Sequence, residues 1–168
     1  MKLWNLLERI VYIVLKPVFN LLHKDLTDDI FKSFMQFVKF GLVGVSNTIV
    51  SYSIYACTLM ILKWSGVYIR YDFLIAQITA FLLSVLWSFY WNSRKVFTIE
   101  EGKHRSKLRT LIKTYVSYSF TGLFLNSVLL ILLIDILHVS AFIAPVVNIA
   151  INVPINFLLN KFWAYKQL

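Results

Sequence analysis

The chain has 168 residues, of which 59% are apolar and 15% charged, with a mean hydropathy of +0.71. A soluble domain is nearer half apolar and a quarter charged, so this balance excludes an ordinary soluble enzyme or a disordered tail. The net charge of +9 would suit nucleic acid in a polar chain, but here it reads as basic residues in loops that flank membrane spans and meet anionic lipid headgroups.

Residues 1–33 come first and differ from the rest. Leu3, Leu6, Leu7, Ile10, Val11, Val14 and Leu15 recur at helical spacing. Glu8, Arg9 and Lys16 interrupt the run, and Pro17 is expected to break it. No uncharged stretch reaches spanning length and no small-residue cleavage site follows. The segment reads as an amphipathic helix on the membrane surface, with a weak extra span as the alternative.

Four stretches then approach the roughly 20 apolar residues that a span requires. They run from Phe34 to Leu62, Phe73 to Trp91, Tyr115 to Leu137 and Phe142 to Leu159. The first is long enough to begin at the interface or to tilt. Of the 17 basic residues, only Lys63 and Arg70 fall in the loops on one side. The other fifteen lie in residues 1–39, in the loop 93–113 and at the C-terminus. This bias puts both termini and the loop 93–113 in the cytoplasm. The single cysteine, Cys57, excludes an intramolecular disulfide and a cysteine-pair zinc site.

The chain also repeats itself. Phe37-Val38-Lys39-Phe40 with Gly44 matches Tyr115-Val116-Ser117-Tyr118 with Gly122 at an offset of 78. Ala76, Val85, Phe89 and Asn92 match Ala144, Val153, Phe157 and Asn160 at an offset of 68. Two spans per copy means both copies insert in the same sense. The expected fold is therefore an all-α integral membrane protein. It has four transmembrane helices as two parallel two-helix repeats, about 34–97 and 113–168, and an N-terminal interfacial helix over 1–33.

Within these repeats, Ala76, Ala80, Ser84, Ser88 and Asn92 recur every four residues, as do Ala144, Asn148, Asn152, Asn156 and Asn160. Such residues share a helix face, but the stripe drifts by about 40° per step, so it cannot all meet one neighbour. Carboxamides in hydrocarbon need partners. They read either as interhelical hydrogen-bond glue or as a polar track, to which Asn47 adds. Pro145 and Pro154 favour the track, because each removes a backbone donor inside a span. The aromatic residues Trp87, Tyr90, Trp91, Trp163 and Tyr165 read as an interfacial belt at the inner edge.

Phe37-Val38-Lys39-Phe40 leading into Gly44-Val45-Ser46-Asn47-Thr48, followed by Ser88-Phe89-Tyr90-Trp91-Asn92-Ser93-Arg94-Lys95-Val96-Phe97, resembles the GtrA-like family. Asn156-Phe157-Leu158-Leu159-Asn160-Lys161-Phe162-Trp163-Ala164-Tyr165 echoes the second motif. The resemblance covers about 34–168. It implies a small four-span protein of the bacterial cytoplasmic membrane that moves a polyprenyl-phosphate-linked monosaccharide, with a membrane glycosyltransferase as partner. The sugar would serve a surface polymer such as O-antigen, teichoic acid or arabinogalactan.

For such a substrate only the head requires shielding. Asn47, Ser84, Ser88, Asn92, Asn148, Asn152, Asn156 and Asn160 are the candidate groups for sugar hydroxyls, since hydroxyls and carboxamides both donate and accept. Arg94, Lys95 and Lys161 are the candidates for the lipid phosphate at the cytoplasmic mouth, and Arg70 at the outer face. No Walker-type phosphate loop, metal cluster or nucleophile–base pair is evident, so neither a cofactor nor an enzymatic activity is expected. Two alternatives stand: a scaffold that recruits the transferase through residues 1–33 and the basic loop, and a small cation exporter. No glutamate lies within a span, which disfavours the exporter. One chain has few helices with which to enclose a sugar, so a homo-oligomer such as a dimer, or a complex with the transferase, is expected.

Overall fold

Thr27 and the two carboxylates after it start the longest helix of the chain. The Thr27 Oγ1 accepts the Ile30 N–H at 3.4 Å, and Asp28 and Asp29 occupy the first turn, where a carboxylate complements the helix dipole. In the computed structural model, which describes residues 2–21, 23, 25–66, 72–140 and 142–167, this helix is the second of five. It begins six residues before the expected apolar start at Phe34, because the cap lies in the polar segment.

The helices are α1 (Lys2–Leu21), α2 (Asp28–Trp64), α3 (Asp72–Val96), α4 (Lys107–Ile136) and α5 (Ala144–Leu159). The last turn of α3, Asn92–Val96, is a π turn, and α4 contains two π stretches, Phe120–Leu125 and Leu132–Ile136. A further π turn, Asn160–Ala164, continues α5. No strand occurs among the described residues.

Among the described residues α2, α3 and α4 are long and apolar enough to cross a membrane. The fourth expected span corresponds to α5. Pro145 sits at the start of α5, where its missing N–H costs nothing, and the α-helical bonding stops at Leu159. Those 16 residues reach about 24 Å, and the π turn Asn160–Ala164 carries the helix on towards the roughly 30 Å of hydrocarbon. The outward faces are apolar: Val45, Ile49, Met60, Ile78, Leu123, Phe124 and Val146 are all exposed. Apolar surface on this scale belongs against lipid, and the chain is a multi-pass membrane protein.

Helix α1 runs through Pro17 rather than ending before it. Pro17 has no N–H to give the Ile13 carbonyl, so that one bond of the ladder is missing while the helix continues. The helix rests on α2 through the Lys39–Glu8 ion pair at 3.3 Å and an edge-to-face contact of Tyr12 with Phe31. Leu6, Ile10, Ile13, Val14 and Val18 remain exposed, the apolar stripe expected of an interfacial helix.

The remaining four helices close into a bundle whose densest core lies at its basic end. Phe40, Val43, Val96, Phe97, Phe157, Ala164 and Tyr165 are buried together there. Val96 and Phe97 occupy the same positions in the first copy as Ala164 and Tyr165 in the second. Phe97 and Tyr165 stack with centroids 4.6 Å apart. Tyr165 is thus a core residue, not a member of the aromatic belt.

Candidate functional site

The two asparagine-led turns explain the motif from which the repeat is recognised. The Phe97 N–H donates to the Asn92 carbonyl and the Tyr165 N–H to the Asn160 carbonyl, both at 2.8 Å. These i→i+5 bonds close the π turns and swing an aromatic ring inward from each. One arginine reads both ends. Arg105 Nη1 donates to the Phe97 carbonyl at 2.8 Å and to the Tyr165 carbonyl at 3.4 Å, and its guanidinium lies 4.9 Å over the Tyr165 ring. Burial lowers the Arg105 pKa from its ordinary value, with Tyr165 opposing the shift. Burial also pushes the Tyr165 phenol well above its usual range.

Above this core a cleft of about 580 Å³ lies among α2, α3, α4 and α5, within the range of small-molecule sites, roughly 300–1,000 Å³. Its polar lining consists of Asn47, Thr48, Ser51, Ser84, Tyr118, Thr121 and Asn156. Val45 and Ile149 are exposed at its edge, so the cleft opens on the bundle surface between α2 and α5. Gly41, Gly44 and Gly122 also line it, and a Cβ at any of them would meet nothing within 4 Å. Glycine inside a helix costs about 0.5–1 kcal/mol relative to alanine, and here no close helix contact offsets that cost.

The polar lining is not equally free. The hydroxyls of Thr48, Ser84 and Thr121 donate to carbonyls of their own helices, as Ser and Thr commonly do in apolar surroundings. Asn47 Oδ1 is buried without a hydrogen-bond partner among the described residues. Asn156 accepts from Asn160 Nδ2 through its side-chain oxygen at 2.9 Å and its carbonyl at 2.8 Å. Its amide nitrogen is therefore left to the cleft.

Of the eight expected track residues, the structure brings Asn47, Ser84 and Asn156 to the cleft. Ser88 and Asn92 lie behind it, fully buried. Tyr118 Oη is 2.6 Å from Ser88 Oγ and accepts from Asn92 Nδ2 at 3.2 Å, so this pair holds the Tyr118 side chain at the cleft wall. Asn160, also fully buried, orients Asn156. Asn148 and Asn152 turn elsewhere. Asn152 Nδ2 donates to Asn148 Oδ1, and Asn148 Nδ2 donates to Asn126 Oδ1, each at 2.8 Å. This ladder joins α5 to α4, and the drift of a four-residue stripe around a 3.6-residue helix accounts for the division.

The expected phosphate residues do not converge. Arg94 folds back on Tyr90, donating to its hydroxyl at 3.1 Å. Lys161 donates to Ser33 Oγ at 3.0 Å beside α2. Lys95 lies with Lys32, Lys39 and Glu8 along a second cleft of about 510 Å³ under α1. Arg70 falls outside the described residues. Each of the three cations thus has its own neighbours.

Tyr118, Thr121 and Gly122 were missed as site residues, as was the clamp formed by Arg105. The match of Gly44 with Gly122 carried the signal for the first group, since both repeat copies bring that glycine to one cleft. Nothing in the sequence pointed to Arg105 among seven basic residues of its loop.

The family model described as GtrA/DPMS, transmembrane domain, matches residues 39–165. No curated protein and no solved structure matches the chain.

Proposed function

The chain belongs to the GtrA/DPMS transmembrane-domain family, membrane proteins of polyprenyl-phosphate sugar handling, and from that membership we propose that it translocates a polyprenyl-phosphate-linked monosaccharide across the cytoplasmic membrane. The observation that carries this reading is a cleft in the wall of the bundle to which Asn47, Ser51 and Asn156 bring polar groups. A sugar head entering it exchanges water for the carboxamides of Asn47 and Asn156 and the hydroxyl of Ser51. The polyprenyl tail stays in lipid through the opening between α2 and α5. The glycines keep the wall hollow.

In this reading α5 and its π turn complete a fourth crossing, the two copies stand as parallel repeats, and the basic end faces the cytoplasm. No energy source is required: a transferase making the lipid-linked sugar on one face and a second consuming it on the other supply the gradient. The transferase, or a second copy of the chain, packs beside the bundle and leaves that opening clear for the tail.

The test uses liposomes holding only the purified protein and a labelled polyprenyl-phosphate sugar. The rate at which the label becomes accessible to a membrane-impermeant probe is compared with protein-free vesicles. Acceleration is expected. No acceleration by a correctly inserted protein contradicts translocation and leaves recruitment of a transferase as the role.

A further inference from the structure

A small pocket of about 100 Å³ lies between the start of α4 and the π turn that follows α5. We propose that it binds the phosphate group of a membrane lipid at the basic end of the bundle.

Its wall carries His104, Arg105, Arg109, Lys113 and Lys166, and no carboxylate lines it. The ion pairs among the described residues, Lys39–Glu8 and Lys103–Glu100, lie elsewhere. Two of the cations are fixed. Arg105 is held by the Phe97 and Tyr165 carbonyls. Lys113 donates to the Trp163 carbonyl at 3.1 Å and lies 5.2 Å from the centre of that ring. Arg109 and Lys166 are exposed and their side chains hold no hydrogen bond or ion pair among the described residues. Four positive charges around so small a volume repel one another. A bound phosphate offsets that repulsion, with bidentate contacts from arginine and point charges from lysine.

The depth of the pocket favours a lipid over a soluble phosphate. Lys113 lies two residues before Tyr115, where the apolar run of α4 begins. Arg109 is six residues before Tyr115, about 9 Å farther along the helix. The pocket thus sits at headgroup height, with the half-exposed Trp163 beside it as an interfacial aromatic. For a polyprenyl-linked sugar as the lipid, the inference rests on the translocation reading; for the phosphate itself it does not.

The experiment is native mass spectrometry of the full chain in neutral detergent, titrated with phosphatidic acid. Inorganic phosphate and phosphatidylcholine are titrated in separate arms. Phosphatidic acid is expected to be retained in preference to both. The R109Q/K166Q double variant should bind it at least tenfold more weakly with an unchanged melting temperature, and Lys166→Gln alone should show a smaller loss in the same direction. The control R94Q/K95Q should shift binding less than twofold. Equal losses in both double variants overturn the pocket. Retention of inorganic phosphate as tight as that of phosphatidic acid overturns the lipid source. Translocation is read separately in vesicles: a protein that flips sugar lipid but fails to retain phosphatidic acid contradicts only this pocket.

Discussion

Each asparagine of the stripe does a different job, and the differences are measurable. Asn92 is fully buried and joins Ser88 to Tyr118. Replacing it by alanine strips both hydroxyls of that donor and leaves a void, which should destabilise the protein by about 1–3 kcal/mol. Thermal unfolding in detergent should register the loss, at roughly 2–4 °C for each kcal/mol. Asn156 is only partly buried and faces the cleft. Asn156→Leu removes one hydrogen bond from Asn160, worth about 0.6 kcal/mol in a membrane interior, so its melting temperature should stay within a few degrees of native while sugar movement falls. The residue types of both were legible, because a four-residue asparagine repeat cannot be a lipid-facing surface. Which one binds and which one braces was not, since that depends on the rotation of α5 against α4, set by Asn126 and its bond to Asn148.

At the scale of the helix, the glycines make the sharper test. Gly44 and Gly122 occupy corresponding positions of the two copies and meet at the same cleft with open space before them. Gly44→Ala and Gly122→Ala should each stabilise the helix, by up to about 1 kcal/mol, since nothing obstructs the new methyl group. Leucine at either position narrows the cleft and should slow translocation at least tenfold with little change in melting temperature. If these positions instead seat a neighbouring helix, leucine would dissociate that contact, and sedimentation in detergent would register the smaller species. The helices themselves were readable from apolar runs and caps. The π turns were not, because an i→i+5 turn of five residues leaves no periodicity to detect. Those turns bury Tyr165, which its place at the membrane edge assigns to the aromatic belt.

At the basic end of the molecule a single guanidinium ties the π turn that ends α3 to the π turn that follows α5. Arg105→Ala removes the donor to both the Phe97 and Tyr165 carbonyls and the cation over Tyr165. Hydrogen bonds from a charged group are worth about 1.5–3 kcal/mol, so the variant should unfold several degrees earlier. Arg105→Lys should recover less than half, because a compact, strongly hydrated ammonium does not stack on the Tyr165 ring as the planar guanidinium does. The duplication and its motif were plain in the sequence, since the same aromatic and asparagine residues recur in order. The arginine that ties the copies belongs to neither, and so no repeat could reveal it.

The cleft is the centre of this account, and the rate of sugar-lipid movement in vesicles of native protein beside Gly122→Leu tests it most directly. The native chain should render the label accessible well above the protein-free rate, and the leucine variant, inserted and equally stable, should fall back towards it. Equal rates for the two proteins would contradict a route through the cleft.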